Sequence, residues 1–227
     1  MLLMPYRKTP LIVGEIYHVF NRSVAKQPIF THQRDYQRAL DTLEFYTYPQ
    51  VNLRFSYYQR LDQSAKQKFL KQQKSGVKPI AMLAFCLMPN HAHFLIQEKQ
   101  DGGISSFMRK FQNSYARYFN VKRNRTGALF QSMFKAVRVE NESQLIHVCR
   151  YIHLNPYSSS IISTLEELEA YSWSSLPTYL GYSKSTLIDT SIINPLFSSA
   201  QELKETLVNH ADCQRSLDQI KHLLLDD

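Results

Sequence analysis

The sequence predicts an α+β fold: a ferredoxin-like antiparallel sheet in the order β-α-β-β-α-β, with helices on one face and a C-terminal helical extension. Three observations carry this expectation. Segments of alternating or unbroken apolar character interleave with segments of helical period, in the order strand, helix, two strands, helix, strand, helix. The two central strands are separated only by Pro89-Asn90, a turn signal that makes them a hairpin. The chain has 227 residues, 44% apolar and 20% charged, enough for one domain with a sizeable core plus a small appendage.

Residues 15–21 (EIYHVFN) alternate and are β-rich, which reads as the first strand. Thr31 is a good N-cap for a helix over residues 35–46, with Leu40, Leu43 and Phe45 as apolar positions. Residues 58–78 are polar and rich in Lys and Gln, an exposed helix or insertion ending at Ser75-Gly76. Residues 80–88 form one apolar run, a buried strand, and residues 91–97 (HAHFLIQ) form its hairpin partner. After Gly102-Gly103, Ser105 or Ser106 caps a helix to about residue 120 whose apolar positions Phe107, Phe111 and Tyr115 keep helical spacing. Residues 123–127 are a turn and residues 129–139 a strand with interleaved basic residues. Residues 141–155 are a helix, capped by Asn141 and ended by Pro156. Residues 201–225 read as one or two helices.

Composition removes several function classes. Cys86, Cys149 and Cys213 are too few and too scattered for a disulfide framework, and no C-x-x-C pair exists for a zinc finger; a reducing, cytoplasmic setting fits. The opening MLLMPYRKTP lacks the apolar core of a signal peptide, and the longest apolar run, residues 80–88, is far short of a membrane span. Only 6 glycines are present, and neither Gly-rich phosphate-loop pattern occurs, so no nucleotide cofactor is expected. The formal net charge is +8 and it is unevenly placed. Residues 99–138 carry nine Lys or Arg against Asp101 alone, whereas residues 164–227 carry four basic and ten acidic side chains. The basic body suits an anionic partner such as nucleic acid, and the acidic region after it does not. Within the basic window, Arg109, Lys110, Arg117, Lys122, Arg123 and Arg125 are candidates to follow a DNA backbone, with Tyr115 and Tyr118 as stacking partners for bases. The other reading is a solvated helix face over core aromatics.

Two clusters can carry chemistry. His91 and His93 stand at i and i+2 of a strand, so both imidazoles share a face and Ala92 turns to the other. Such a pair suits one divalent cation, or is simply two surface histidines. His147, Tyr151 and Asn155 follow one another at steps of four along the helix, on one face. Tyr151 is either a nucleophile with Asn155 an oxygen ligand one turn on, or a core residue packed with Ile146 and Ile152.

Taken together, GEIYHVFNRS (14–23), FCLMPNHAHFLI (85–96), MRKFQNSYARYFN (108–120), RTGALFQSMFKAV (125–137), RYIHLNP (150–156) and YSWSSLPTYL (171–180) resemble the single-tyrosine HUH transposases of the insertion-sequence-200-like class, and among them the REP-associated tyrosine transposases. The resemblance covers residues 14 to about 180. It implies a catalytic domain over residues 1–180, with a polar insertion around 50–78 longer than in compact members; charge and helical pattern make residues 181–227 an acidic, helical extension. It implies that His91 and His93 bind a divalent metal ion, Mg²⁺ or Mn²⁺, with Asn155 as a third ligand, and that Tyr151 is the nucleophile. The implied reaction is cleavage and rejoining of single-stranded DNA at or near hairpins through a 5′-phosphotyrosine link. The implied partners are hairpin-forming single-stranded DNA and a possible second copy of the chain, with no membrane. The implied location is the cytoplasm, with the nucleoid when DNA is bound. His18 and His153 also lie in family-like motifs, each either a site residue or a hydrogen-bonded packing residue; Trp173 reads as a core anchor. The alternative is a non-catalytic, domesticated nucleic-acid-binding protein of the same fold. The acidic extension is expected to screen the basic face.

Overall fold

The central hairpin sets the architecture. In the computed structural model, which describes residues 10–49, 51–73 and 76–224, strands β2 (Ile80–Met88) and β3 (His91–Glu98) meet across the two-residue turn Pro89-Asn90 and pair antiparallel from Met88↔His91 to Ile80↔Glu98. β2 is buried at every position. That is why it reads as an unbroken apolar run and not an alternation: helices cover both of its faces. Its free edge is also occupied, because Leu87 N–H donates to the Trp173 carbonyl, Ser175 N–H to Phe85 and Asp189 N–H to Met82.

Strand β1 (Ile16–Arg22) pairs antiparallel with β3 on one side and with β4 (Lys135–Val139) on the other, giving the sheet order β2-β3-β1-β4. The chain order β-α-β-β-α-β and this strand order are those of the ferredoxin-like arrangement. Helices α1 (Gln33–Thr47) and α4 (Gly103–Lys122) make the two crossovers and pack on each other. They cover one face of the sheet, where Phe94 of β3 meets Phe107 and Phe111 edge-on. Helix α5 (Glu142–Ser158) lies across β2 and β3. It covers the opposite face, the one carrying His91 and His93.

Several boundaries differ from expectation. α1 is entered through His32 and not Thr31. The Asp35 carboxylate reaches back to accept from the Thr31 N–H and hydroxyl, which draws Thr31 out of the cap position. α4 begins at Gly103, before Ser105 and Ser106, because the buried Glu98 carboxylate accepts from Ile104 N–H at 2.7 Å and supplies the first-turn acceptor from outside the helix. A glycine is required at 103 by space: a Cβ there would sit 2.1 Å from the Pro79 carbonyl oxygen. The strand expected over 129–139 is reduced to β4, since Leu129 and Phe130 turn their side chains into the core and this stretch joins β1 through single bonds such as Gln131 N–H to Arg22 O. α5 is capped by Asn141, whose side chain accepts from Gln144 N–H, but it runs past Pro156 to Ser158. Burial of Pro156, Tyr157 and Ser158 holds that last turn despite the missing donor.

The polar stretch forms α2 (Phe55–Tyr58) and α3 (Gln63–Gln73). α3 buries no residue fully and is held by Phe69 stacked on Phe45 at 5.5 Å. Short helices α6 (Leu165–Glu169) and α7 (Leu176–Tyr179) lead to one long helix, α8 (Ala200–Leu224). α8 packs on α5, with Tyr157 Oη donating to Asp212, and is tied to α6 by the Lys204–Glu169 pair, so it adjoins the Tyr151 helix and is not laid along the basic helix α4. Cys86 and Cys149 are buried and free. No helix among the described residues is long and apolar enough to cross a membrane. The opening residues 1–9, the Ser75 end of the insertion and the Cys213 side chain lie outside what the structure describes.

Candidate functional site

The strand register assembles the site. Antiparallel partners project to the same face. His91 lies opposite Arg22 and His93 opposite Phe20, so His18, Phe20 and Arg22 of β1 share the face of the two histidines. The ring centroids of His91 and His93 are 4.9 Å apart. His18 Nε2 and His93 Nδ1 share a 2.9 Å hydrogen bond, and Phe20 stacks on His93 at 5.6 Å. From α5 above, the Tyr151 ring stands edge-on to His93 at 5.7 Å and to His18 at 5.8 Å. Asn155, one turn on, is buried, and its Nδ2 donates to the Tyr151 carbonyl at 2.9 Å. The carboxamide oxygen of Asn155 is therefore the atom left to act as a ligand.

Burial makes these imidazoles neutral at pH 7. It lowers His18 to about 4. It lowers His91 to about 4 as well, with help from the Arg22 charge. His93 is pushed well below its ordinary value by burial first and then by His91, His18 and Arg22. Neutral imidazoles keep a lone pair, which is the form that ligates metals. Among the described residues no group of three or more His, Cys, Asp or Glu is placed to hold an ion. An ion at His91 and His93 would need the Asn155 oxygen and oxygens from substrate or solvent to complete its shell. That mixed nitrogen and oxygen set suits a catalytic divalent cation with open positions better than a closed structural site.

The remaining candidates separate. His147 is exposed, with its Nδ1 3.0 Å from the Arg150 guanidinium, and does not join the cluster. His153 is a packing residue, fully buried with Nε2 2.7 Å from Ser175 Oγ. Trp173 is half-buried and stacks on Tyr36 at 4.8 Å. Tyr115 cannot stack on a base in this fold: it is fully buried and donates to the Ile29 carbonyl, because the helical stripe it belongs to faces the sheet. Tyr118 and Lys122 are both engaged with the buried Asp35 carboxylate, which fixes them as structural partners. Lys110 donates to Val51 O, Arg123 to Thr31 Oγ1 and Arg125 to Ala128 O. Arg109 and Arg117 are exposed, and Arg117 lines a concave surface with Asn120, Asn124 and Arg125. Phe20 and Arg22 are the members that sequence reasoning misses, and His18 is one that it leaves open. The signal is present in the EIYHVFNR alternation, but only register says which partner each residue meets.

Residues 51–155 match the family model described as "Transposase IS200 like". That span includes His91, His93, Tyr151 and Asn155 and leaves out β1. No curated protein matches the chain. Among solved structures, the chain is similar to one titled "Structure of the REP associates tyrosine transposase bound to a REP hairpin", at 14% identity and a TM-score of 0.46, covering 82% of this chain and 98% of that one.

Proposed function

The chain carries the IS200-like transposase pattern over residues 51–155, and from that premise we propose that it is a DNA strand-transfer enzyme with Tyr151 as nucleophile and His91, His93 and Asn155 as ligands of a divalent metal ion. The observation that carries this reading is the approach of the Tyr151 ring to His93, 5.7 Å between centroids, from a helix that lies far from the hairpin in sequence and packs on its histidine face. Two separate sequence signals thus meet in one place.

Tyr151 Oη attacks the phosphorus of a single-stranded DNA phosphodiester. The P–O3′ bond breaks, a 5′-phosphotyrosine forms, and the phenol proton ends on the departing 3′ oxygen. A 3′-OH from a second strand then reverses the attack. The bond energy stays in the covalent link, so no nucleotide triphosphate is consumed. A phenol with an ordinary pKa near 10 is a weak nucleophile at neutral pH. A bound divalent ion supplies Lewis-acid polarisation of the phosphate. His91 and His93 present nitrogen donors, and Asn155 presents an oxygen while its Nδ2 holds the backbone beneath Tyr151. Arg22, exposed at the end of β1 and close enough to act on both histidines, offers a positive charge to the same phosphate. DNA able to form a hairpin is the proposed partner, with Arg109 and Arg117 as backbone contacts.

The test is incubation with Mn²⁺ and labelled single-stranded hairpins, read on a denaturing gel. Label on the wild-type protein, absent with EDTA and with Tyr151→Phe, is the expected result. Cleavage that survives Tyr151→Phe would remove the tyrosine mechanism, and tight hairpin binding with neither adduct nor cut product would favour a non-catalytic binding protein.

A further inference from the structure

The turn that precedes His91 is held more firmly than a hairpin needs. Ser23 N–H donates to the Asn90 carbonyl at 2.9 Å, and Ile29 and Phe30 N–H both donate to the Pro89 carbonyl, at 2.7 and 3.0 Å. The segment that supplies these bonds includes Ala25 and Lys26, consecutive non-glycine residues at φ 55° and 54°. L-residues avoid this left-handed region, so the surrounding contacts must impose it. Its result is to aim the Lys26 carbonyl at the Asn90 side chain, which donates to it from Nδ2 at 3.0 Å.

That bond settles which way the Asn90 amide faces. A carbonyl can only accept, so Nδ2 is the atom toward Lys26 and Oδ1 is the atom toward His91. Asn90 Oδ1 lies 2.6 Å from His91 Nδ1. Oδ1 can only accept, so the proton of the neutral imidazole is on Nδ1 and the lone pair is on Nε2. His93 Nδ1 lies 2.9 Å from His18 Nε2, a contact between two imidazoles in which either ring can be the donor. Metal-ligating histidines commonly have their second nitrogen fixed, as that of His91 is, by an outer partner.

We propose that Asn90, anchored by the Lys26 carbonyl, is a positioning residue that fixes His91 as its Nδ1–H tautomer, so that its Nε2 is preset to ligate a divalent ion. The assignment rests on the metal-binding reading above for its purpose, but the tautomer itself is a property of the metal-free chain. The role of Asn90 is not identifiable from the H-x-H spacing.

The experiment uses the full chain and two readouts. Long-range ¹⁵N–¹H correlation on metal-free protein, with His91 assigned by single substitution, is expected to show it protonated on Nδ1. Calorimetric titration with Mn²⁺ alone then compares variants. Asn90→Ala removes the acceptor and is expected to weaken Mn²⁺ binding by about 10- to 100-fold. Asn90→Asp keeps an acceptor for His91 while losing the donor to Lys26, so it is expected to bind Mn²⁺ more tightly than Asn90→Ala by about that same factor, even with a lower melting temperature. If Asn90 served only the turn, Asn90→Asp would be as damaging as Asn90→Ala, since a carboxylate would then face the Lys26 carbonyl. That outcome, or an Nε2–H tautomer for His91 in the wild type, overturns the proposal. Wild type that binds no Mn²⁺ yet shows Nδ1–H at His91 would sink the metal reading and leave the tautomer assignment standing.

Discussion

His153 offers a quantitative test of how the Tyr151 helix is seated. It lies on α5, fully buried, with Nε2 2.7 Å from Ser175 Oγ and Nδ1 3.7 Å from Cys149 Sγ. Ser175 Oγ in turn accepts from Phe85 N–H at 2.9 Å, so the imidazole links α5 to β2 through the 170s segment. Burial lowers His153 from 6.5 to about 3. The sign follows from linkage. Below pH 6.5 the unfolded chain takes up a proton at this residue that the folded chain refuses. The stability contribution is therefore whole above pH 6.5 and is lost as pH falls toward 3. Each pH unit within that window costs about 1.4 kcal/mol, so going from pH 7.5 to 4.5 costs about 3 kcal/mol from this group alone. Urea unfolding followed by circular dichroism at those two pH values supplies the measurement. His153→Gln removes the titration while keeping a polar partner for Ser175. The expected result is that the wild type loses about 3 kcal/mol more than the variant between the two pH values, whatever the absolute stability of the variant. Parallel losses in the two proteins would refute the buried, neutral assignment.

Two further outcomes follow from packing and charge. Gly103→Ala replaces a poor helix former with a better one, yet its Cβ would fall 2.1 Å from the Pro79 carbonyl oxygen, which is backbone and cannot swing aside; a net loss of about 1–3 kcal/mol in chemical denaturation is expected. The basic residues of α4 should divide into two kinds. Arg117→Ala, at an exposed position, should weaken hairpin binding and lower the log–log salt slope by about 0.7 for each phosphate that the protein no longer neutralises, with unchanged melting. Lys122→Met should leave the salt slope alone but cost about 2 kcal/mol of stability, a discounted figure because Lys122 is partly exposed. Asp35 is the reason: burial raises its carboxyl, but hydrogen bonds from Lys122, Tyr118 and Thr31 outweigh this and hold it at about 2. Fluorescence anisotropy of a labelled hairpin at several salt concentrations separates the two cases.

The amino-acid sequence alone determined the order of elements and the pairing of β2 with β3. Those features follow from local rules: an apolar run, a two-residue Pro-Asn turn, and the period that puts His91 and His93 on one side of a strand with Ala92 on the other. It also put Tyr151 and Asn155 on one helical face, because their spacing holds on any helix, while the choice of Tyr151 as nucleophile came from the family resemblance. It did not determine whether Tyr115 and Lys122 face DNA or the interior, since helical period defines a stripe without saying what covers it. Tyr115 went to the sheet, and Lys122 went to the buried carboxylate of Asp35, 87 residues earlier in the chain. Nor could it bring His18 to His93, or Asn90 to Lys26. Those pairings depend on register between strands and on a left-handed turn, and both are settled only when distant segments bury their apolar faces against each other. Tertiary structure therefore decided which polar groups are spent inside the fold and which are left to meet a substrate, because a buried polar side chain must find its hydrogen-bond partner wherever packing places one.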